Sequence, residues 1–234
     1  MKTSDDFKNG QILLIDKPLT WTSFQAVNKL RWAIRKAFDI KKIKVGHAGT
    51  LDPLATGLLV ICTGKMTKQI NTFQGQEKEY TGTFVLGSTT PSYDLETEVN
   101  ETFSTKHITE EQIHETTKQF IGVIDQFPPV FSAIKKDGKR LYEFARAGEK
   151  VEIKSRQIEI TEFKITNISE NNLEFRVVCS KGTYIRSLAY DFGKALNSGA
   201  HLSVLRRTRI GNFKVEDGLT PKEFIATLPF EEKD

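Results

Sequence analysis

One stretch restricts the fold more than any other: NNLEFRVVCS, residues 171–180. Leu173, Phe175, Val177 and Cys179 occupy every second position, a period that puts all four on one face of a β-strand lying over a core. Asn171-Asn172 supplies turn chemistry, so the β-rich segment 151–167 leads through it into the alternating strand. The chain must therefore build a sheet and cover it.

Further strands are expected at QILLI with Asp16, stopped by Lys17-Pro18, at Leu58 to Cys62, at KEYTGTFVLG (78–87) and from Leu202 onward. Thr22 and Ser23 are ready caps for a helix whose apolar positions Phe24, Val27, Leu30, Ile34 and Phe38 step by three and four. Thr109-x-x-Gln112 is a capping box opening a helix to about Phe120. Residues 183–197 predict a helix with Ile185, Leu188, Phe192 and Ala195 inward, and a short closing helix lies near 221–228. No regular βαβ rhythm links these elements, so the fold class is α+β with a largely antiparallel sheet. At 234 residues the chain can bury a substantial core as a single domain. The segment 128–156, with Pro128, Pro129, Gly138, Gly148 and many basic residues, reads as an insertion.

The longest apolar run, Leu58 to Cys62, is too short to span a membrane, and the polar start MKTSDDFKNG lacks a secretory core. A cytoplasmic protein is expected, with Cys62 and Cys179 as buried thiols. His47, His107, His114 and His201 have no ligand spacing, so no metal site is expected. The net charge of +4 is modest, but it is clustered. Arg31, Arg35, Lys36, Lys41, Lys42 and Lys44 form one group, Lys135, Lys136, Lys139 and Arg140 a second, and Arg206, Arg207 and Arg209 a third. Such clusters point to a polyanion.

The segment GHAGTLDPLATGLL, residues 46–59, holds one carboxylate among three glycines. Asp52-Pro53 suits a helix start, with aspartate as cap and proline first in the helix. Gly46, Gly49 and Gly57 also let backbone approach a ligand closely. The later Gly64-Lys65 suggests a phosphate loop, but six residues separate Gly57 from Gly64 where a nucleotide loop needs four, and Met66 replaces the magnesium-binding hydroxyl. Arg186 stands in the first turn of the 183–197 helix, where the dipole disfavours a cation. An RNA phosphate or a carboxylate beside it would resolve the conflict. By composition alone, Tyr80 and Tyr184 are half-buried residues of ordinary elements.

In order along almost the whole chain, LLIDKPLTWTS (13–23), VGHAGTLDPLATGLLVICTGKMTK (45–68), KEYTGTFVLG (78–87), FPPVFSAIKKDGKRLYEFARAGE (127–149), CSKGTYIRSLAYDFG and GAHLSVLRRTRIGNF (within 179–213) resemble the TruB family of tRNA pseudouridine-55 synthases. The resemblance implies the pseudouridine synthase fold, a mixed, mostly antiparallel central sheet flanked by helices and loops. It implies an isomerase that moves the glycosidic bond of T-loop uridine 55 from N1 to C5 on a flipped-out base, with no cofactor. Asp52 matches the catalytic aspartate, acting at ribose C1′, at base C6 or in forming a glycal. Tyr80 matches the active-site tyrosine that stacks on uracil and assists proton removal, and Arg186 the arginine that pairs with the aspartate. His47 belongs to the loop entering the space the base leaves; Tyr184 and Leu205 line the uridine pocket, and Lys17 is the lysine of the first motif. Residues 128–156 match a thumb loop closing over the T-arm of tRNA.

Two departures stand out. The chain ends soon after the catalytic match, so a monomeric short form of one catalytic domain, without the family's C-terminal PUA domain, is expected. In STTPSYDLE (88–96) Pro91 stands where the family commonly has aspartate, although Asp94 remains. Two rival readings are compatible with the same residues, a tRNA-folding chaperone role without or alongside catalysis, and the same chemistry aimed at another RNA.

Overall fold

A computed structural model of the chain describes residues 2–132, 134–136, 138–149 and 151–230. The chain divides into two compact units, one running up to Tyr80 and resuming at Arg206, the other spanning Thr81–Leu205.

In chain order the first unit begins with α1 (Ser4–Asn9), β1 (Ile12–Lys17), α2 (Ser23–Ala37), β2 (Val45–His47), β3 (Ala55–Thr63), a 3₁₀ segment Gly64–Gln69, α3 (Ile70–Gly75) and the start of β4 (Lys78–Leu86). β1 and β2 both pair antiparallel with β3, Lys17 opposite Gly57 and His47 opposite Ile61. The helix α2 starts as its sequence dictates: the Thr22 hydroxyl accepts from the Gln25 N–H at 3.0 Å, and the Gln25 side chain returns a bond to the Thr22 N–H at 2.7 Å. Its buried stripe runs through Ser23, Val27, Leu30 and Ile34. Phe24, expected inward, is 64% exposed, because the cap turns Ser23 toward the core and leaves Phe24 on the other edge of the stripe. The core of this unit joins Phe7, Leu13, Ile15, Leu30, Ile61 and Phe224 with their neighbours. Each such side chain contributes about 1.5–3 kcal/mol by leaving water.

The second unit carries the rest of β4, then β5 (Ser88–Thr89), β6 (Glu101–Thr102), α4 (Glu110–Lys118), β7 (Gly122–Gln126), β8 (Lys135–Lys136), β9 (Lys139–Arg140), α5 (Leu141–Arg146), β10 (Arg156–Ser169), β11 (Asn172–Cys179), α6 (Ile185–Ala195) and the first part of β12 (Ala200–Ile210). The chain closes in the first unit with β13 (Phe213–Lys214) and α7 (Pro221–Ala226). β10 pairs antiparallel with β11 and with β7, and β11 is followed by β4 in the strand order. The hairpin turns at Glu170-Asn171, with Glu170 at φ +54°, one residue earlier than the expected Asn171-Asn172. β10 starts at Arg156, so residues 151–155 lie outside the strand expected over 151–167. Leu173, Phe175, Val177 and Cys179 are buried as their alternation requires. They face an aromatic core in which the tilted rings of Phe84 and Phe175 lie 4.2 Å apart and Phe163 meets Phe192 at 5.3 Å.

Helix α6 begins at Ile185 rather than 183. Ala195, expected inward, is exposed; the helix ends there and Leu196 turns into the core in its place. Ala133, Asp137, Lys150 and the Lys135 side chain, all within the basic insertion 128–156, lie outside the described residues. Among the described residues no helix is long and apolar enough to cross a membrane.

Candidate active site

Asp52 does not cap a helix. Its carbonyl accepts from the Ala55 N–H at 3.1 Å, closing a turn in which Pro53 presets the second position and which feeds directly into β3. Three elements fix that turn. From α2, the buried Ser23 hydroxyl accepts from the Leu51 N–H at 2.8 Å and donates to the Leu51 carbonyl at 3.1 Å. From the loop after β1, the Thr20 N–H donates to the Pro53 carbonyl at 2.8 Å. From β12, Arg207, only 1% exposed, donates to the carbonyls of Leu58 at 2.8 Å, Gly49 at 3.0 Å and Thr50 at 3.4 Å. A guanidinium is suited to this task because its donors spread in one plane over several acceptors. Gly57 must be glycine: its φ is +102°, and a Cβ there would lie 2.2 Å from the Arg207 carbonyl oxygen. Asp52, half-buried, is thus held on an immobilised backbone.

The alternation of β1 carries Lys17 to the same side as Leu13 and Ile15, where it is fully buried. Its ammonium donates to the carbonyls of Pro18 at 2.9 Å and Trp21 at 2.6 Å. Burial pulls its pKa down to about 8, Asp52 raises it and the Arg207 charge lowers it further. Burial also lowers the pKa of His47, reinforced by Arg207 and opposed by the Gly49 backbone. The net effect favours the neutral imidazole over the charged one. The first unit thus gathers Lys17, His47 and Asp52 round the Arg207 scaffold, and Tyr80 lies in β4, 8% exposed.

Arg206, Arg207 and Arg209, expected from their clustering to meet a polyanion, are committed inside this unit. Arg206 forms two bonds with Asp16, at 2.7 and 3.1 Å, and Arg209 meets Glu77 at 2.9 Å. Paired charges of this kind organise the fold and leave little for a phosphate.

In the second unit Tyr184 caps α6 and Arg186 follows in its first turn. The Gln126 amide clamps the Tyr184 backbone reciprocally, accepting from its N–H at 2.8 Å and donating to its carbonyl at 3.0 Å. The Arg156 guanidinium stacks on the Tyr184 ring at 4.6 Å. Arg186, 4% exposed, approaches Asp94 at 3.6 Å and donates to the Ser92 carbonyl at 3.3 Å. A carboxylate thus accompanies the cation that the helix dipole disfavours. Leu205 is half-buried on β12. Sequence reasoning missed Ser23 and Gln126 as clamps, Arg207 as scaffold and Arg156 as a stacking partner; only the polar positions beside apolar ones could have signalled them. Among the described residues no group of three His, Cys, Asp or Glu is placed to hold a metal ion.

A family model described as TruB family pseudouridylate synthase, N-terminal domain, matches residues 35–185, and one described as tRNA pseudouridylate synthase B C-terminal domain matches residues 186–233. The chain belongs to the TruB family. Among its TruB relatives, a tRNA pseudouridine synthase B of Flavobacterium johnsoniae is 67% identical over 227 residues, covering 97% of this chain and 99% of the relative. A protein of the same name from Phocaeicola vulgatus is 55% identical, covering 97% of both. In solved structures, the chain resembles a protein of a Cbf5-Nop10-Gar1 complex with TM-score 0.70 and 30% identity, over 94% of this chain and 54% of that one. A chain of an H/ACA RNP bound to a substrate RNA containing 2′-deoxyuridine gives TM-score 0.67 and 28% identity, over 94% and 53%. The TruB chain thus spans about half the length of these solved chains. Its α+β architecture with a mostly antiparallel sheet is that of the pseudouridine synthases.

Proposed function

We propose that this chain is a tRNA pseudouridine synthase acting on uridine 55 of the T-loop. The observation that carries the reading is the Asp52 turn, pinned through Leu51, Pro53, Gly49, Thr50 and Leu58 around a residue that is only half-buried. A reaction at one sugar–base bond needs a carboxylate fixed to within a fraction of an ångström, and effective molarities of about 10⁵ M or more reward such fixation. In the reaction N1–C1′ breaks, C1′–C5 forms, the C5 proton departs and N1 gains one, so the product is an isomer of the substrate. Extruding the base costs a few kcal/mol, which stacking on Tyr80 and lining by Tyr184 and Leu205 offset. Asp52 is the catalytic carboxylate and Arg186 the catalytic cation. His47 enters the space of the flipped base, and Lys17 supports the negative charge of Asp52.

On this reading the chain works as one catalytic unit, as a monomer in the cytoplasm, with residues 128–156 as a thumb on the T-arm. The exposed Lys139 and Arg140 there suit phosphate contacts. The test is to incubate the protein with unmodified tRNA and ribosomal RNA side by side and map pseudouridine by mass spectrometry. Pseudouridine at tRNA position 55 is the expected result. Binding of tRNA without any pseudouridine would overturn it in favour of a chaperone, and modification of ribosomal RNA alone would overturn the substrate.

A further inference from the structure

The Gly64-Lys65 pair has the wrong spacing for a nucleotide loop, yet the structure builds something from it. A cleft of about 260 Å³ is lined by Lys8, Lys42, Lys44, Lys65 and Lys68, with no acidic residue in its lining among the described residues. All five lysines are exposed. They come from three segments distant in sequence, and hydrogen bonds to backbone carbonyls lock those segments together. The Gly64 N–H donates to the Lys44 carbonyl at 2.8 Å, and the Thr63 hydroxyl donates to the Phe7 carbonyl at 2.9 Å. Gly64, at φ +51°, lets the end of α1 approach so closely that a Cβ would lie 2.0 Å from the Lys8 carbonyl oxygen. The cradle is therefore part of the packed fold rather than a chance meeting of mobile side chains.

We propose that this cleft binds backbone phosphates of the RNA at a place remote from the reacting base, an inference that rests on the function proposed above. Where this chain uses cations structurally it supplies partners, as at Arg206 and Arg209. At the cleft the described residues supply little: Lys65 reaches the neutral Asn9 side chain at 3.1 Å, and Lys8 an exposed Asp5 at 3.4 Å. Five like charges converging on one concavity favour a polyanion. Among the described residues Ile43 is the single large apolar one of the lining, so an acidic peptide would lack the buried anchors that protein partners use. The cleft and the Asp52 turn stand at opposite ends of β3. Eight steps of about 3.3 Å separate them by on the order of 25 Å, so the phosphates belong to RNA outside the loop carrying the target uridine, and we assign them to tRNA beyond the T-arm.

The test compares wild type with a Lys42→Gln, Lys44→Gln, Lys65→Gln, Lys68→Gln variant on full-length tRNA and on an isolated T-stem-loop, by filter binding across a salt series and by turnover. Each phosphate no longer neutralised lowers the salt slope by about 0.7–0.9 and weakens binding about sixfold at 0.1 M salt. For one or two phosphates, the variant should bind full-length tRNA about 6- to 40-fold more weakly, while its Kd and turnover on the stem-loop stay at wild-type values. Unchanged binding of full-length tRNA would overturn the proposal, as would an equal weakening on both RNAs. Wild type inactive on both would refute the proposed reaction instead, and the Kd comparison would still decide the cleft.

Discussion

Ser23→Ala removes one oxygen and tests how the reactive carboxylate is positioned. In the wild type that oxygen, 2% exposed as a residue, satisfies both the N–H and the carbonyl of Leu51. Alanine leaves both groups buried without their partner, at about 1–2 kcal/mol each in the lower part of the usual range, so about 2–4 kcal/mol together. For a chain of this size that loss lowers Tm by roughly 4–16 °C. Part of it appears as freedom of the turn, and a displacement near 1 Å costs on the order of a hundredfold in rate. The expected kinetic signature is therefore a kcat reduced about 10- to 100-fold, with KM for tRNA unchanged. Thr22→Ala is the control, since it removes the helix cap, costs about 1 kcal/mol and leaves Leu51 alone. Tritium release from C5-labelled tRNA, with Tm measured in parallel, gives both numbers. A Ser23→Ala protein that loses stability but keeps the wild-type kcat would refute the reasoning, and so would a Thr22→Ala protein with the same drop in kcat.

Lys17 holds its proton only to about pH 8 when folded, against 10.5 in the unfolded chain. Between those values the unfolded state binds more protons, so the Lys17 contribution to stability rises as pH climbs through the window. Denaturant midpoints of wild type minus those of Lys17→Met should rise from pH 8 to 10.5; a flat or falling difference would contradict the burial argument. Asp191 behaves oppositely, because burial raises its pKa from 3.8 to about 6 against the pull of Lys194. The folded state then holds the extra proton, so this carboxylate costs stability increasingly as pH rises from 3.8 to 6, and Asp191→Asn should be more stabilising at pH 7.5 than at pH 4. Among the arginines, Arg206→Gln and Arg209→Gln should leave the salt slope of tRNA binding unchanged, since both cations are paired internally. Lys139→Gln with Arg140→Gln should lower it by about 0.7–0.9 for each phosphate the pair neutralises in the wild type, and equal slopes for both sets would remove the thumb from the binding surface.

The elements readable in the sequence are those governed by local rules. The period of two at Leu173 to Cys179 marks a buried strand face, and the capping boxes at Thr22 and Thr109 mark helix starts. Sequence and structure part where tertiary contacts choose between equivalent local options. Phe24 and Ala195 have helical spacing, but the cap at Thr22 and the helix end before Leu196 set the buried side. Asp52-Pro53 has the chemistry of a helix cap and of a turn, and only the strand that follows decides for the turn. The third basic cluster looks like the other two because a linear sequence does not show that Asp16 and Glu77 lie beside Arg206 and Arg209. Candidate residues are legible through motif resemblance, whereas their supports are not: Ser23, Gln126 and Arg207 act through contacts of 28, 58 and 149 or more residues in sequence separation.

The most direct measurement compares wild type and Asp52→Asn on a tRNA transcript carrying C5-tritiated uridine, with Kd and Tm determined on the same preparations. Because the turn is held through its backbone, the amide should preserve folding and leave tRNA binding nearly unchanged, while tritium release falls by at least about a thousandfold. Release by Asp52→Asn at a rate near that of wild type would show that the pinned carboxylate is not the group that drives the isomerisation.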